Sequence, residues 1–164
     1  MIAHDDMGQT RKGTGARYWT HPHTVSDILE GYGIEDEDIL SAATLHDTME
    51  DTEVSYSNIK DIFDKKVADL VKEVTNSPDL DGLGKEDYMN EKLLRISDDA
   101  LLIKLGDMLH NCGDKPRLNQ IERMKNNLKF LLRKRKGLKE IHRDLIDSFF
   151  SMFDLKSQEL VNLY

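Results

Sequence analysis

Four side chains that bind metals or move protons fall within six consecutive positions: His46, Asp47, Glu50 and Asp51, in the run His46-Asp47-Thr48-Met49-Glu50-Asp51-Thr52. Leu40, Ala42, Ala43 and Leu45 form an apolar lead-in, which predicts a helix buried on most sides. Charged groups against such a helix are costly unless each has a partner. A divalent cation is one such partner, because it compensates carboxylates and takes a neutral imidazole as a ligand. At about 100° per residue, His46 and Glu50 share one helical face and Asp47 and Asp51 the adjoining one, so all four can border a single cavity. In that arrangement His46 and Asp47 reach one ion, while Glu50 and Asp51, a turn later, work on a water there. A helix end carrying solvated acids is the other reading, because the chain is acidic throughout, with 31 Asp and Glu against 23 Lys and Arg. The segment alone leaves both open.

A mononuclear site needs ligands from other elements, and two places offer them. His21 stands at a helix start, directly before Pro22. The apolar stretch Leu101-Leu102-Ile103-Lys104-Leu105-Gly106 runs straight into Asp107, His110 and Asn111. Asp107 and Asn111 lie four apart and face the same side of a helix. Gly106 permits close approach of another backbone or a ligand. Taken singly, each is an ordinary cap or helix-end residue. Their company with the 46–51 cluster is what gives them weight.

The elements that must position these groups are helices. The 164 residues suffice for one domain with a real core, expected to span 1–164. Only three prolines occur, at 22, 78 and 116, which leaves room for long helices. Residues 1–19 read as a short helix and a loop, and Thr20-His21-Pro22 as the start of a helix that stops at Gly31-Tyr32-Gly33. Asp36 is placed to cap the helix carrying the cluster. Ser57 is a candidate cap for the next, with Ile59, Ile62 and Phe63 as its apolar face, and a break near Asp64 precedes Val67, Leu70, Val71 and Val74. Residues 77–84 form a loop, followed by helices near 85–97 and 100–111. Two long helices, near 117–134 and 138–162, close the chain on either side of Gly137. Their core faces are Met124, Leu128, Leu131 and Leu132, then Leu138, Ile141, Leu145, Phe149 and Phe153. No segment shows the alternation of a half-buried strand, so the fold expected is all-α.

Net charge is −8, which argues against a general nucleic-acid binder. The average hides an asymmetry: residues 117–143 hold ten Arg and Lys against Glu122 and Glu140, a local +8 with −16 elsewhere. That stretch reads as a solvated helix face and loop, with a phosphate-facing surface as the alternative. Cys112 is the single cysteine, so an internal disulfide is excluded and a reducing compartment fits. No apolar run approaches membrane-spanning length and no signal peptide opens the chain, so a cytoplasmic protein is expected. Cys112 reads as a small buried residue, His23 and His142 as surface histidines, and His110 as a structural residue at the rim of the site. Trp19 and Tyr18 could line a pocket or pack the first loop.

The order His21-Pro22, then His46-Asp47-Thr48-Met49-Glu50-Asp51-Thr52, then Lys104-Leu105-Gly106-Asp107-Met108-Leu109-His110-Asn111 resembles the HD-type hydrolase domain of the RelA/SpoT family, and most of all its stand-alone small alarmone hydrolases. Upstream, His4-Asp5-Asp6-Met7-Gly8-Gln9-Thr10-Arg11-Lys12 is similar to the family's H-x-x-x-G-Q-x-R-K segment. Between the blocks, Phe63, Val67, Leu70-Val71 and Val74-Thr75 follow its F-x-x-x-V-x-x-L-V-x-x-V-T pattern. The resemblance covers roughly residues 4–115. It implies an HD-type helical domain with His21, His46, Asp47 and Asp107 as ligands of one metal ion, Mn2+ in this family. It further implies that Glu50 and Asp51 activate the attacking water, and that Arg11, Lys12 and Asn111 contact the nucleotide. Two imidazoles and two carboxylates without a thiolate suit such an ion.

The implied reaction is hydrolysis of the 3′-pyrophosphate of guanosine tetra- or pentaphosphate (ppGpp, pppGpp) to GDP or GTP and pyrophosphate. Met108 and Gly113 stand where many members carry basic residues. That departure keeps a second substrate class in view, an adenine alarmone (ppApp) or the 2′-phosphate of NADPH. A third reading is a non-catalytic regulator that binds nucleic acid or a partner through 117–143, recognisable by salt-sensitive binding without turnover. The expected partner is thus a nucleotide substrate rather than a membrane or nucleic acid, and a homo-oligomer is compatible with the sequence.

Overall fold

The computed structural model describes residues 20–162, with side chains from residue 24 onward. The segment 1–19, including Arg11, Lys12, Tyr18 and Trp19, lies outside the described residues, as do the side chains of His21 and His23. Every regular element among the described residues is helical, as the sequence patterning predicts.

The first helix, α1 (Thr20–Gly31), opens with Pro22 in its first turn, where a missing N–H costs nothing. It ends before Gly33, whose φ of +86° suits glycine. Helix α2 (Glu37–Leu45) starts at Asp36, whose carboxylate accepts from the N–H groups of Asp38 and Ile39 at 2.9 and 3.2 Å. A one-turn helix, α3 (Thr48–Asp51), follows after a break. Helix α4 (Tyr56–Ile62) is capped by Ser55, not by Ser57. The Ser55 hydroxyl accepts from Asn58 N–H while the Asn58 side chain accepts from Ser55 N–H, and that reciprocal box fixes the start two residues earlier. Asp64 caps α5 (Lys65–Val74) by accepting from Val67 N–H at 2.8 Å. The loop after it contains a 3₁₀ turn at Leu80–Gly82. Then come α6 (Lys85–Arg95), α7 (Asp98–Gly113), α8 (Leu118–Lys134) and α9 (Glu140–Val161).

Helix α7 is the axis of the fold. It packs against α1, α2, α5 and α9, and residues 100–106 are all buried. A helix packed on by so many neighbours is mostly apolar, which is why Leu101, Leu102, Ile103 and Leu105 show no polar stripe, Lys104 being the one charged residue among them. Gly106 is where α1 comes closest: a Cβ there would sit 3.2 Å from Val25 Cγ1 and 3.3 Å from Leu29 Cδ2. The close approach expected at this glycine is therefore made by α1. Helix α8 packs on α6 and α9, closing the domain behind α7.

Three expectations about packing are corrected. Ile62 and Phe63 are exposed, at 75% and 48%, because α4 stops there and only Ile59 is buried in the core. Leu132 is also exposed, since Leu128 and Leu131 already occupy the buried face of α8. His142 is not a surface residue but fully buried. Its Nδ1 accepts from Lys139 N–H at 3.1 Å and its Nε2 donates to the Asp98 carbonyl at 3.0 Å, tying the start of α9 to the start of α7. Cys112 is buried as expected, and burial pushes its thiol up to about 11, which suits an inert core residue.

Candidate active site

The 46–51 cluster is not carried by one continuous helix. Helix α2 ends at Leu45, and His46 (φ −58°, ψ −28°) and Asp47 (φ −106°, ψ −1°) form the bend into α3. The bend replaces simple stacking of faces: His46 and Asp47 are buried, while Glu50 is exposed and Asp51 half-buried. His46 Nδ1 donates to the Ala43 carbonyl at 2.7 Å, which fixes the ring and turns Nε2 toward α7. There it meets Asp107, with Nε2 and Oδ1 3.6 Å apart. Asn111 Nδ2 donates to the same Asp107 oxygen at 2.7 Å, so the i, i+4 pair read from the sequence orients the carboxylate. Burial by itself would lower the His46 pKa. The hydrogen bond and charge of Asp107, then the charge of Asp47, outweigh it, and the imidazole is held above its ordinary value. The site thus favours positive charge between these carboxylates.

A metal ion fits this donor chemistry. With Nδ1 held by a backbone carbonyl, Nε2 is the nitrogen a metal would take, the usual arrangement for a metal-binding histidine. Asp47 is buried beside it and its carboxylate does not cap α3. The described residues alone do not complete a cluster of three or more ligands. His21, the fourth residue implied by resemblance, lies in the first turn of α1, which packs on both α2 and α7, though its side chain is outside the described set.

Glu50 is held differently. Its Oε1 accepts a short hydrogen bond from the backbone N–H of Asn76, just past the end of α5. Asn76 also lines an open cavity of about 260 Å3 beside Asp107. Other walls are Lys85 and Tyr88 of α6, Lys104 and Met108 of α7, and Arg123 and Asn127 of α8. Lys104 is the informative one. It is only 5% exposed, pairs with Asp107 across 4.0 Å, and makes no hydrogen bond among the described residues. Beside that carboxylate it also borders the cavity, where a second anion would meet a positive charge.

Sequence reading missed this cation-lined wall. A lysine inside an otherwise apolar buried helix was the available signal for Lys104. Arg123 was hidden in the basic 117–143 stretch, which tertiary structure divides among different tasks. Arg135 donates to the Leu93 carbonyl and Asp98, Lys139 pairs with Asp98, and Lys125 lies 4.2 Å above the Phe153 ring. Met108, where a basic residue was expected, is a buried apolar wall of the cavity.

An all-helical domain that gathers an imidazole and carboxylates from separate helices is the HD type. Residues 2–127 match the HD domain family, and the chain belongs to it; hydrolases of this type are metal-dependent. Within the family it is similar to stand-alone small ppGpp hydrolases. It is 38% identical over 116 residues to the mouse guanosine-3′,5′-bis(diphosphate) 3′-pyrophosphohydrolase MESH1, covering 70% of this chain and 65% of that protein. It is 36% identical over 119 residues to the Aquifex aeolicus enzyme of the same name, covering 67% of this chain and 16% of the relative. The chain therefore spans less than two thirds of either relative. A solved structure described as a metazoan ortholog of SpoT that hydrolyzes ppGpp superposes with a TM-score of 0.75 at 30% identity, covering 92% of this chain and 88% of that one. No helix among the described residues is long and apolar enough to cross a membrane.

Proposed function

We propose that this protein is a Mn2+-dependent hydrolase of the 3′-pyrophosphate of ppGpp and pppGpp. The observation that carries the reading is the convergence of His46 and Asp107. They come from different helices, with the His46 ring oriented by Ala43 and the Asp107 carboxylate by Asn111. His21, His46, Asp47 and Asp107 would hold the ion. Bound there, Mn2+ supplies Lewis-acid polarisation of a phosphoryl oxygen and lowers the pKa of a coordinated water. Glu50 or Asp51 takes the proton of the attacking water, whose oxygen bonds to the phosphorus attached at the 3′ position. The phosphorus–O3′ bond then breaks, the proton taken up by the carboxylate is returned to O3′ to restore the ribose hydroxyl, and pyrophosphate leaves.

The cavity lined by Lys85, Lys104 and Arg123 is suited to the phosphates, and it offsets the basic residues absent at Met108 and Gly113. Arg11 and Lys12 would meet the nucleotide from the N-terminal segment, and Asn111 from α7. The test is pyrophosphate release from ppGpp by purified protein with Mn2+, beside ppApp and NADPH. His46→Ala and Asp107→Ala should abolish turnover together with Mn2+ binding. Retained turnover in either variant overturns the ligand assignment, and faster turnover of an adenine nucleotide overturns the substrate.

A further inference from the structure

We infer that Lys92 is a positioning residue for Glu50, acting through the one peptide group that joins Thr75 to Asn76. Lys92 Nζ donates to the Thr75 carbonyl oxygen at 2.6 Å. The N–H at the other end of that same peptide, that of Asn76, donates to Glu50 Oε1. The two contacts therefore sit on opposite edges of a single planar, conjugated unit. A cation on the oxygen draws electron density across the amide and makes its N–H a stronger donor, so the hydrogen bonds reinforce each other along the chain. The lysine fixes the plane of the peptide and strengthens its grip on the carboxylate.

The surrounding fold is built for this. Helix α5 ends at Val74, and Thr75 leaves it in an extended conformation (φ −63°, ψ 129°), which presents the next peptide edge-on between α3 and α6. Lys92 and Tyr88 stand four apart on α6, on one face. The lysine lies 5.6 Å from the centre of the Tyr88 ring, and the Tyr88 hydroxyl accepts from Ser77 N–H at 2.6 Å. One face of α6 thus clamps the turn at residues 75 and 77, on either side of Asn76. Keeping a cation here is expensive: burial, then the charge of Lys104, pulls Lys92 down to about 8. A lysine serving only as a helix cap at the surface would not carry that penalty.

The inference rests on the reading of Glu50 as a residue that handles the proton of water, and the test separates the two. Lys92→Met, Lys92→Arg and Glu50→Gln are compared with the unmodified enzyme on ppGpp with Mn2+, resolving kcat from KM and recording thermal unfolding. Lys92→Met is expected to lower kcat about tenfold, a fraction of what a positioned base contributes, with KM changed less than about twofold. Lys92→Arg keeps a charged donor and should recover most of the loss. Asn76→Pro, which the extended Thr75 tolerates, deletes the same hydrogen bond from the other end and should reproduce the fall in kcat even if Lys92→Met does not fold. A raised KM with unchanged kcat would make Lys92 a phosphate contact and overturn the inference. A lowered Tm with unchanged kcat would make it a helix cap, with the same consequence. Full activity in Glu50→Gln would instead remove the reading of Glu50 itself.

Discussion

Replacing Lys104 with methionine should separate the function of this lysine from its effect on stability. The residue is 5% exposed, and its ammonium stands 4.0 Å from Asp107 Oδ2. At that separation the attraction is worth about 4 kcal/mol at the effective dielectric of a protein site. Taking an ammonium out of water costs several kcal/mol, so the pair brings the folded state close to nothing. Methionine is unbranched, similar in length and apolar, and it would join Met89, Met108 and Met124 along the cavity wall without that desolvation cost. Asp107 would keep Asn111 and His46 as partners. The Tm of Lys104→Met should therefore stay within about 3 °C of the unmodified protein, or rise.

Activity should behave oppositely. A charge-assisted hydrogen bond to a phosphate oxygen is worth about 1.5–3 kcal/mol, so kcat/KM for ppGpp should fall roughly 10- to 150-fold. Removing the charge also relieves Lys92, whose pKa should rise from about 8. Thermal unfolding and steady-state kinetics with Mn2+ measure the first two quantities, and an NMR pH titration of the Lys92 side chain measures the third. Unchanged kcat/KM, or a large loss of Tm with kcat/KM preserved, would refute the reasoning, because Lys104 would then be a structural cation.

His142→Phe keeps the volume of a fully buried ring and deletes its bonds to Asp98 O and Lys139 N–H. A loss of about 2–3 kcal/mol is expected, seen as a Tm lower by roughly 5–10 °C, with KM unchanged. Lys139, and then Arg135, hold the Asp98 carboxyl below its ordinary pKa. The stability this provides is whole above the unfolded carboxylate range near pH 4 and is lost as pH falls through the lower folded value. Asp98→Asn should therefore destabilise at pH 7 and converge with the unmodified protein in acid denaturation curves once the pH falls below the lowered folded value. Because the His46 imidazole is held above its ordinary pKa, protons compete with a metal there to a higher pH than usual. Apparent Mn2+ affinity, measured by calorimetry, should weaken as pH is lowered, and that dependence should vanish with the binding in His46→Ala.

Much of this protein is readable along the chain because its signals are local. Apolar periodicity, Asp36 as a cap, the break near Asp64, and Gly33 as a stop place the helices within a residue or two. The capping box at Ser55 escaped because Ser57 offers the same hydroxyl and only the reciprocal bond with Asn58 distinguishes them. His46-Asp47 and Asp107 were visible as chemistry because they occur together, in order, each block following an apolar run.

What tertiary structure decided is the set of meetings between distant parts. The bend at His46-Asp47 separates buried groups from the exposed Glu50, which a regular helix would have stacked in register. Asn76 reaches Glu50 only because α5 ends beside α3, and Lys104 faces a cavity only because α6 and α8 close over α7. His142 looked solvent-facing in a basic stretch, yet the docking of α9 on α7 buries it against Asp98. Helix identity is set by neighbours a few residues away, so the sequence by itself determined the elements and the residue types able to hold a metal. Burial and charge at a given atom are set by whatever packs across from it, and that only the folded chain decides.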